Sequence, residues 1–399
     1  MIARIEKSVA KGVVEAPPSK SYSHRLLIAS FLAGKGNIHN IAFSNDVSAT
    51  IECLESLGAT FSVTGFDVRL TRGEERRDIF PCRESGSTLR FLIPIALVLL
   101  KKGTFTGTNK LFSRGLSVYE EIFKEQNIAY ELGENSLKVE GELKPGKYKI
   151  LGNISSQFIT GLLFALPLLD GDSEIEIIGE LESKPYINIT IDVLDKFGVQ
   201  VIESKNRYII KGNQIYQPQE CTVEGDYSNS AFLEMLNYFP DNDVKITGLN
   251  PQSSQGDMVY QKILPLMATR KAHVDISNCI DLGPALFTFA AIHHGAIIRG
   301  IHRLRIKESD RVNDMLEILS LFGCEYYVEE DEVEINPIRL SPVNKVIYPK
   351  NDHRLVMATS ILLTFVGGSI ANIEAVDKSY PDFFKALEKL GVRITYVTE

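Results

Sequence analysis

Thr50-Ile-Glu-Cys-Leu-Glu-Ser-Leu-Gly58 reads as an amphipathic helix that ends on a glycine, and residues 59–70 after it read as two strands. Gly58 stands where a helix needs a left-handed residue just past its last turn, a conformation that glycine and asparagine tolerate. The same grammar returns at 118–127 followed by 128–139, at 189–198 followed by 199–211, at 313–323 followed by 324–335, and at 382–391 followed by 392–397. Asn127, Gly198, Gly323 and Gly391 take the place of Gly58. These residues recur about every 70 positions, with one double-length gap between Gly198 and Gly323. A degenerate copy fits that gap, with a helix over 259–267 followed by 273–276.

A second helix type alternates with the first and is apolar nearly all round, which predicts burial. Its copies cover 23–32, 88–100, 158–169, 230–239, 284–292 and 355–365. A turn and a short strand follow, as at 37–41, 104–107, 173–178 and 297–301. The unit is therefore β-α-β-α-β-β, repeated six times. Six units in 399 residues predict an α/β (α+β) chain of two domains with three repeats each. The apolar helices lie inside and the amphipathic ones face solvent. The grammar restarts near Ala16-Pro-Pro18 and near Glu224-Gly-Asp226. The expected domains are 1–18 with 227–399, and 19–226.

The starts of the six buried helices read Ser19-Lys-Ser-Tyr-Ser-His-Arg25, Glu84-Ser-Gly-Ser-Thr-Leu-Arg90, Asn153-Ile-Ser-Ser-Gln157, Gly225-Asp-Tyr-Ser-Asn-Ser230, Asp281-Leu-Gly-Pro284 and Asn351-Asp-His-Arg354. They are rich in Ser, Asp, Asn and Gly, as helix caps are. Four of the six also carry Lys, Arg or Gln, which capping does not require. Helix N-termini offer unpaired N–H groups and a positive dipole end, and these bind phosphate and carboxylate.

Composition narrows the function. An apolar fraction of 44% and a charged fraction of 24% are those of a globular protein. A formal net charge of −8, with no basic tail, argues against a general nucleic-acid or anionic-membrane surface. Cations for an anionic ligand must therefore be gathered locally. The five cysteines lie far apart, with no metal-type spacing, and read as reduced residues of a cytoplasmic protein. The N-terminus shows no apolar core of a secretion signal, and the run 91–100 is too short to span a bilayer.

Such a cluster is Arg303-Leu-Arg-Ile-Lys-Glu-Ser-Asp-Arg311, which follows an apolar run over 285–301. Its cations Arg303, Arg305, Lys307 and Arg311 suit an anion, and Glu308 or Asp310 could move a proton. A bland reading also fits: Ser309 or Asp310 caps a helix, with Arg–Glu pairing along its first turn.

At this point the motifs resemble the 5-enolpyruvylshikimate-3-phosphate synthase family of 3-phosphoshikimate 1-carboxyvinyltransferases. The matching segments are Pro18-Ser-Lys-Ser-Tyr-Ser-His-Arg25, Ser85-Gly-Ser-Thr-Leu-Arg90, Ser155-Ser-Gln-Phe158, Ser183-Lys-Pro-Tyr186, Glu224-Gly-Asp226, Gln255-Gly-Asp257, Arg305-Ile-Lys-Glu-Ser-Asp-Arg311, Asn351-Asp-His-Arg354 and Lys378-Ser-Tyr-Pro-Asp382. They stand in the family's order and cover nearly the whole chain. The resemblance implies two domains of three βαβαββ repeats with buried helices, an inside-out α/β barrel, and an active site in the cleft between them. It also implies transfer of the enolpyruvyl group of phosphoenolpyruvate to the 5-hydroxyl of shikimate 3-phosphate. Phosphate leaves by addition and elimination, with no metal or cofactor, in a cytoplasmic monomer whose partners are these two small molecules. No nucleic acid or membrane partner is expected.

By the same resemblance, Asp281 takes the hydroxyl proton, Glu308 protonates the methylene carbon, and Lys20 neutralises developing charge. Shikimate 3-phosphate is expected at Lys20, Ser21, Arg25, Ser155, Ser156, Ser183, Asp281 and Lys307. Phosphoenolpyruvate is expected at Lys20, Gly86, Arg114, Gln157, Arg311, Arg354 and Lys378. Arginine suits this because its planar fork grips carboxylate or phosphate through two bonds. Read without the resemblance, Asp281 is equally an N-cap before Pro284, Lys20 a surface lysine, Arg90 a structural partner of an acid, and His353 a structural hydrogen-bonding group.

Three positions depart from the family pattern. Glu84 stands where many relatives have Asn, Gly115 follows Arg114 where Pro is usual, and Arg303 sits where some members have Asn. The alternative enzyme is the UDP-N-acetylglucosamine enolpyruvyl transferase, whose family has Lys-Asn near the N-terminus and a loop cysteine. This chain has Lys20-Ser21, and no cysteine over 109–116. A catalytically silent homologue that only binds has no need of both Asp281 and Glu308. An RNA-end-processing enzyme of related repeats is disfavoured by the acidic balance.

Overall fold

The computed structural model describes residues 1–339 and 341–397. The chain divides into two units: unit 1 is Met1–Pro17 with Gly225–Glu399, and unit 2 is Pro18–Glu224.

Unit 2 carries three four-stranded sheets of one design. Their strand orders are Glu220–Thr222, Lys35–His39, Asp67–Arg72, Ala59–Thr64; then Ile79–Arg83, Lys102–Gly107, Ser136–Glu140, Ala129–Leu132; then Lys147–Leu151, Ser173–Ile178, Arg207–Ile210, Val201–Ser204. In each the first two strands are parallel; in the second and third sheets a buried helix carries the chain across between them. The last two are an antiparallel hairpin. Alternation sets the faces: Val68 and Leu70 are buried while Asp67 and Arg69 are exposed.

The helices Lys20–Leu32, Gly86–Leu100 and Ser156–Ala165 fill the inside of unit 2. Phe91 sits among them, with its ring centroid 6.4 Å from His24 and 6.3 Å from Phe164. Gly161 marks the closest approach: a Cβ there would lie 2.4 Å from both the Arg90 carbonyl and the Tyr119 hydroxyl. The third helix stops earlier than its apolar pattern, because the chain tightens into a 3₁₀ turn over Leu166–Leu168 that contains Pro167. The helix Asn109–Ser113, capped by Thr108, was not foreseen from the sequence.

Unit 1 repeats the design with one reduction. Its first four-stranded sheet runs Ala272–Asp275, Ala296–Arg299, Glu332–Ile335, Tyr326–Val328. Its second runs Val346–Ile347, Gly368–Ala371, Ile2–Ile5, Ile394–Val397, so the N-terminal strand completes the last hairpin. The third has only Asp243–Thr247 and Lys11–Glu15, paired in parallel. The sequence reading assigned 273–276 to the degenerate copy. Instead, Ala272–Asp275 opens the next sheet, in parallel with Ala296–Arg299. The chain between Met267 and the next buried helix at Gly283 is too short to hold a hairpin as well. The buried helices of unit 1 are Tyr227–Glu234, Gly283–Ile292 and His353–Val366. Tyr238, Phe239 and Phe289 pack around His293, with Phe365 stacked on Phe239, and burial pushes His293 down to about 4.

Gly58, Asn127, Gly198, Gly323 and Gly391 take φ values of +97°, +57°, +77°, +80° and +93°, as the repeat reading requires. Among the described residues no helix is long and apolar enough to cross a membrane.

Candidate active site

Five of the six buried helices start on a side-chain cap. Ser19, Ser85, Ser155, Asp226 and Asp352 accept the N–H of Tyr22, Thr88, Gln157, Asn229 and Arg354 respectively. The sixth, Gly283–Ile292, has no side-chain cap, and Asp281 precedes it on the 3₁₀ turn Ile280–Leu282. The capping role that the sequence allowed for Asp281 is therefore unfilled. Its carboxylate faces cations instead.

That group lies in unit 1. Asp281 Oδ1 lies 3.4 Å from Lys307 Nζ and 3.2 Å from Arg311 Nη1, and Oδ2 lies 3.1 Å from Arg354 Nη2. Burial alone would push Asp281 up, but Arg354, Lys307 and Arg311 together hold it well below the usual carboxylate range. Arg311 also donates Nη2 to Glu308 Oε2 at 2.7 Å. One guanidinium thus touches both acids that the family resemblance assigns to proton transfer. Asp310 caps the helix Arg311–Ser320 by accepting from Asn313 N at 3.1 Å, so the capped-start reading holds at the same segment. Arg303 donates to the Ser277 carbonyl. Lys378 ends the 3₁₀ helix Ile373–Lys378 and is buried.

Two acids in this group were not singled out from the sequence. Asp352, wholly buried, accepts from Arg311 Nε at 2.7 Å and Nη2 at 3.2 Å, while capping Arg354 N at 3.0 Å. Asp257 accepts from the Ser228 hydroxyl. Burial, and then the neighbouring Asp281 carboxylate, push Asp257 up from 3.8 to about 7. Both stand inside quoted motifs, but a motif does not say which acid meets which arginine.

Unit 2 holds two further groups. In the first, a Cβ on Gly86 would lie 2.9 Å from Arg114 Nη1 and 2.9 Å from Arg90 Nη1. Arg90 donates Nη1 to Gln157 Oε1 at 3.1 Å and Nη2 to the Gly115 carbonyl at 2.9 Å. Gln157 Nε2 reaches Ser87 Oγ at 3.0 Å. Gly86, Arg114 and Gln157 are thus gathered, with Arg90 as the brace between them. Gly115 has φ +79°, which a proline, locked near −65°, could not adopt.

In the second group, Lys20 Nζ lies 3.0 Å from Asp46 Oδ2. Lys20 is largely buried rather than a surface residue, with 17% of its side chain exposed. Arg25 is buried, which lowers it to about 10. It donates Nε to Thr190 Oγ1 at 2.9 Å, Nη1 to the Ser21 carbonyl at 2.8 Å and Nη2 to the Tyr186 carbonyl at 3.1 Å. Much of its fork is spent inside the unit. Ser155 and Ser156 begin one buried helix, and Ser183 precedes the helix Lys184–Lys196 with φ +55°. The Glu182 N–H bond to the Gly152 carbonyl, 3.0 Å, sets the two serine-bearing loops side by side.

Residues 5–387 match the family model described as EPSP synthase (3-phosphoshikimate 1-carboxyvinyltransferase). The chain is 41% identical to the 3-phosphoshikimate 1-carboxyvinyltransferase of Clostridium kluyveri, covering 98% of this chain and 97% of that one. It is 39% identical to that of Clostridioides difficile, covering 98% of each. Among solved structures, the EPSP synthase of Acinetobacter baumannii superposes with a TM-score of 0.82 at 19% identity, over 100% of both chains. An enolpyruvyl transferase from Streptomyces tendae also reaches 0.82, at 14% identity, over 100% of this chain and 99% of that one. These two likenesses concern the fold.

Proposed function

Because the chain belongs to the EPSP synthase family, we propose that it transfers the enolpyruvyl group of phosphoenolpyruvate to the 5-hydroxyl of shikimate 3-phosphate and releases phosphate. The observation that carries this reading is the placement of Asp281 and Glu308 on one guanidinium, that of Arg311.

In this reading Asp281 takes the proton of the 5-hydroxyl as the oxygen bonds to C2 of the enolpyruvate. A base must be ionised to act, and the cations around Asp281 keep it so. Glu308 gives its proton to the methylene carbon. The tetrahedral adduct then loses phosphate as the C2–O bond to phosphate breaks: the methyl group returns its proton to Glu308 as the C=C bond re-forms, and the proton held by Asp281 leaves with the phosphate. Lys307 and Lys20 balance negative charge as it develops. Lys20, Gly86, Arg114, Gln157, Arg311, Arg354 and Lys378 hold phosphoenolpyruvate. Ser21, Arg25, Ser155, Ser156 and Ser183, with Lys20, Asp281 and Lys307, hold shikimate 3-phosphate. No metal or cofactor enters this scheme, and we read the protein as a cytoplasmic monomer.

The test is phosphate release from phosphoenolpyruvate, with and without shikimate 3-phosphate, for the wild type and for Glu308→Gln. Release that requires the second substrate, and falls by about 100-fold or more in the variant, supports the reaction and the acid together. Release with UDP-N-acetylglucosamine in its place moves the reading to the sister enzyme. Silence with both leaves a homologue that only binds.

A further inference from the structure

We propose that Asp46 is a positioning residue for Lys20, fixing its ammonium at the start of the helix that carries Gly86. The inference rests on the reaction proposed above and concerns a residue that the sequence motifs do not mark.

Asp46 lies in the first turn of the amphipathic helix Asn45–Ser56, where the dipole favours a negative charge. The cap of that helix is already supplied by Ser44, which accepts Val47 N. The Asp46 carboxylate is thus spared from capping. It is nearly buried, with 8% of the side chain exposed, and holds Lys20 Nζ at 3.0 Å. Its backbone is tied as well. Thr88 Oγ1, on the Gly86–Leu100 helix, lies 3.4 Å from the Asp46 carbonyl and 2.7 Å from Ser85 Oγ, the cap of that helix. Thr88 Oγ1 is also 2.7 Å from Thr50 Oγ1, which is 2.7 Å from His24 Nδ1 on the Lys20–Leu32 helix. Ser85, Thr88, Thr50 and His24 are all buried. A dry chain of hydrogen bonds therefore fastens three helices, and Asp46 links it to Lys20.

A surface pair would contribute little, because two long side chains in water lose entropy to hold one geometry. This pair is short, largely buried and anchored through its backbone, which are the conditions for a fixed direction. Lysine carries a compact charge on a flexible stem, so it needs such a partner to be directed.

The experiment compares wild type, Asp46→Asn and Asp46→Glu in turnover, in calorimetric affinity for shikimate 3-phosphate, and in thermal unfolding. Removing the carboxylate takes away a competitor for the ammonium, so the affinity of an anion should not weaken. Asp46→Asn should lower kcat by about 10- to 100-fold while the Kd for shikimate 3-phosphate stays within about 2-fold. Asp46→Glu should recover part of the loss. A kcat within about 2-fold of wild type overturns the proposal. So does a parallel loss of affinity with a lower Tm, which would mark Asp46 as structural. If Asp46→Asn does not fold, Thr88→Val, which frees the Asp46 carbonyl, should lower kcat by about 3-fold or more at unchanged Kd, and an unchanged kcat there overturns it too. Failure of the reaction itself is seen separately, as a wild type that releases no phosphate.

Discussion

Arg311 and Asp352 meet through two bonds in the interior of unit 1, Nε to Oδ2 at 2.7 Å and Nη2 to Oδ1 at 3.2 Å, with side chains 1% and 0% exposed. Arg311 spends its remaining reach on Glu308 and Asp281. The same aspartate caps the helix that brings Arg354 to Asp281. Asp352 therefore orients both arginines around Asp281.

Replacing Asp352 by Asn leaves the guanidinium buried beside a neutral amide. Breaking a buried pair from one side costs about 3 kcal/mol or more. Urea unfolding at pH 7 should show a loss of that order, and the phosphoenolpyruvate Michaelis constant should rise.

Gly86→Ala puts a methyl 2.9 Å from Arg114 Nη1 and Arg90 Nη1, the far ends of flexible chains. Those ends can move, so the fold survives while the arginine geometry does not. Tm should stay close to wild type, and the Michaelis constant for phosphoenolpyruvate should rise by about 10-fold.

Gly161→Ala has the opposite profile. Its methyl would meet the Arg90 carbonyl at 2.4 Å, and that backbone cannot yield cheaply. The Tyr119 hydroxyl, which donates to the same carbonyl at 2.5 Å, is in the way as well. Denaturant unfolding should show a loss of about 3 kcal/mol.

Asp257 gives the pH prediction. Burial and the Asp281 charge raise it from 3.8 to about 7 in the folded state. Its contribution to stability is thus fully present below about pH 4 and lost as pH rises through about 7. Asp257→Asn cannot ionise and escapes that loss. The stability of the variant relative to wild type should rise between pH 4 and pH 7, as urea unfolding across that range would show. A difference that is flat with pH would contradict the assignment.

Local pattern made much of the fold legible. Six apolar helices, their polar starts and the left-handed residues after the amphipathic helices are set by neighbours within one or two turns, and the sequence displays those neighbours. Five caps and five left-handed positions stand where the pattern placed them. Site residues were legible as motifs, because helix starts concentrate polar side chains near one another along the chain.

What only tertiary structure decided is which distant groups meet. That Lys11–Glu15 pairs with Asp243–Thr247, and that Ile2–Ile5 completes the last sheet, depends on pairing across hundreds of residues. Periodicity has no knowledge of such partners. Asp281 was readable as a cap or a base, and its three cations decide against the cap. Arg25 turns inward because Thr190 and two carbonyls offer acceptors in a dry interior, where a guanidinium left unpaired would be costly. Asp352 stood in a helix start in the sequence, and Asp46 lay ahead of the helix read over 50–58. Packing alone gave each a buried cation to hold, because the strength of an ion pair is set by the surroundings that exclude water, and those are assembled from the whole chain.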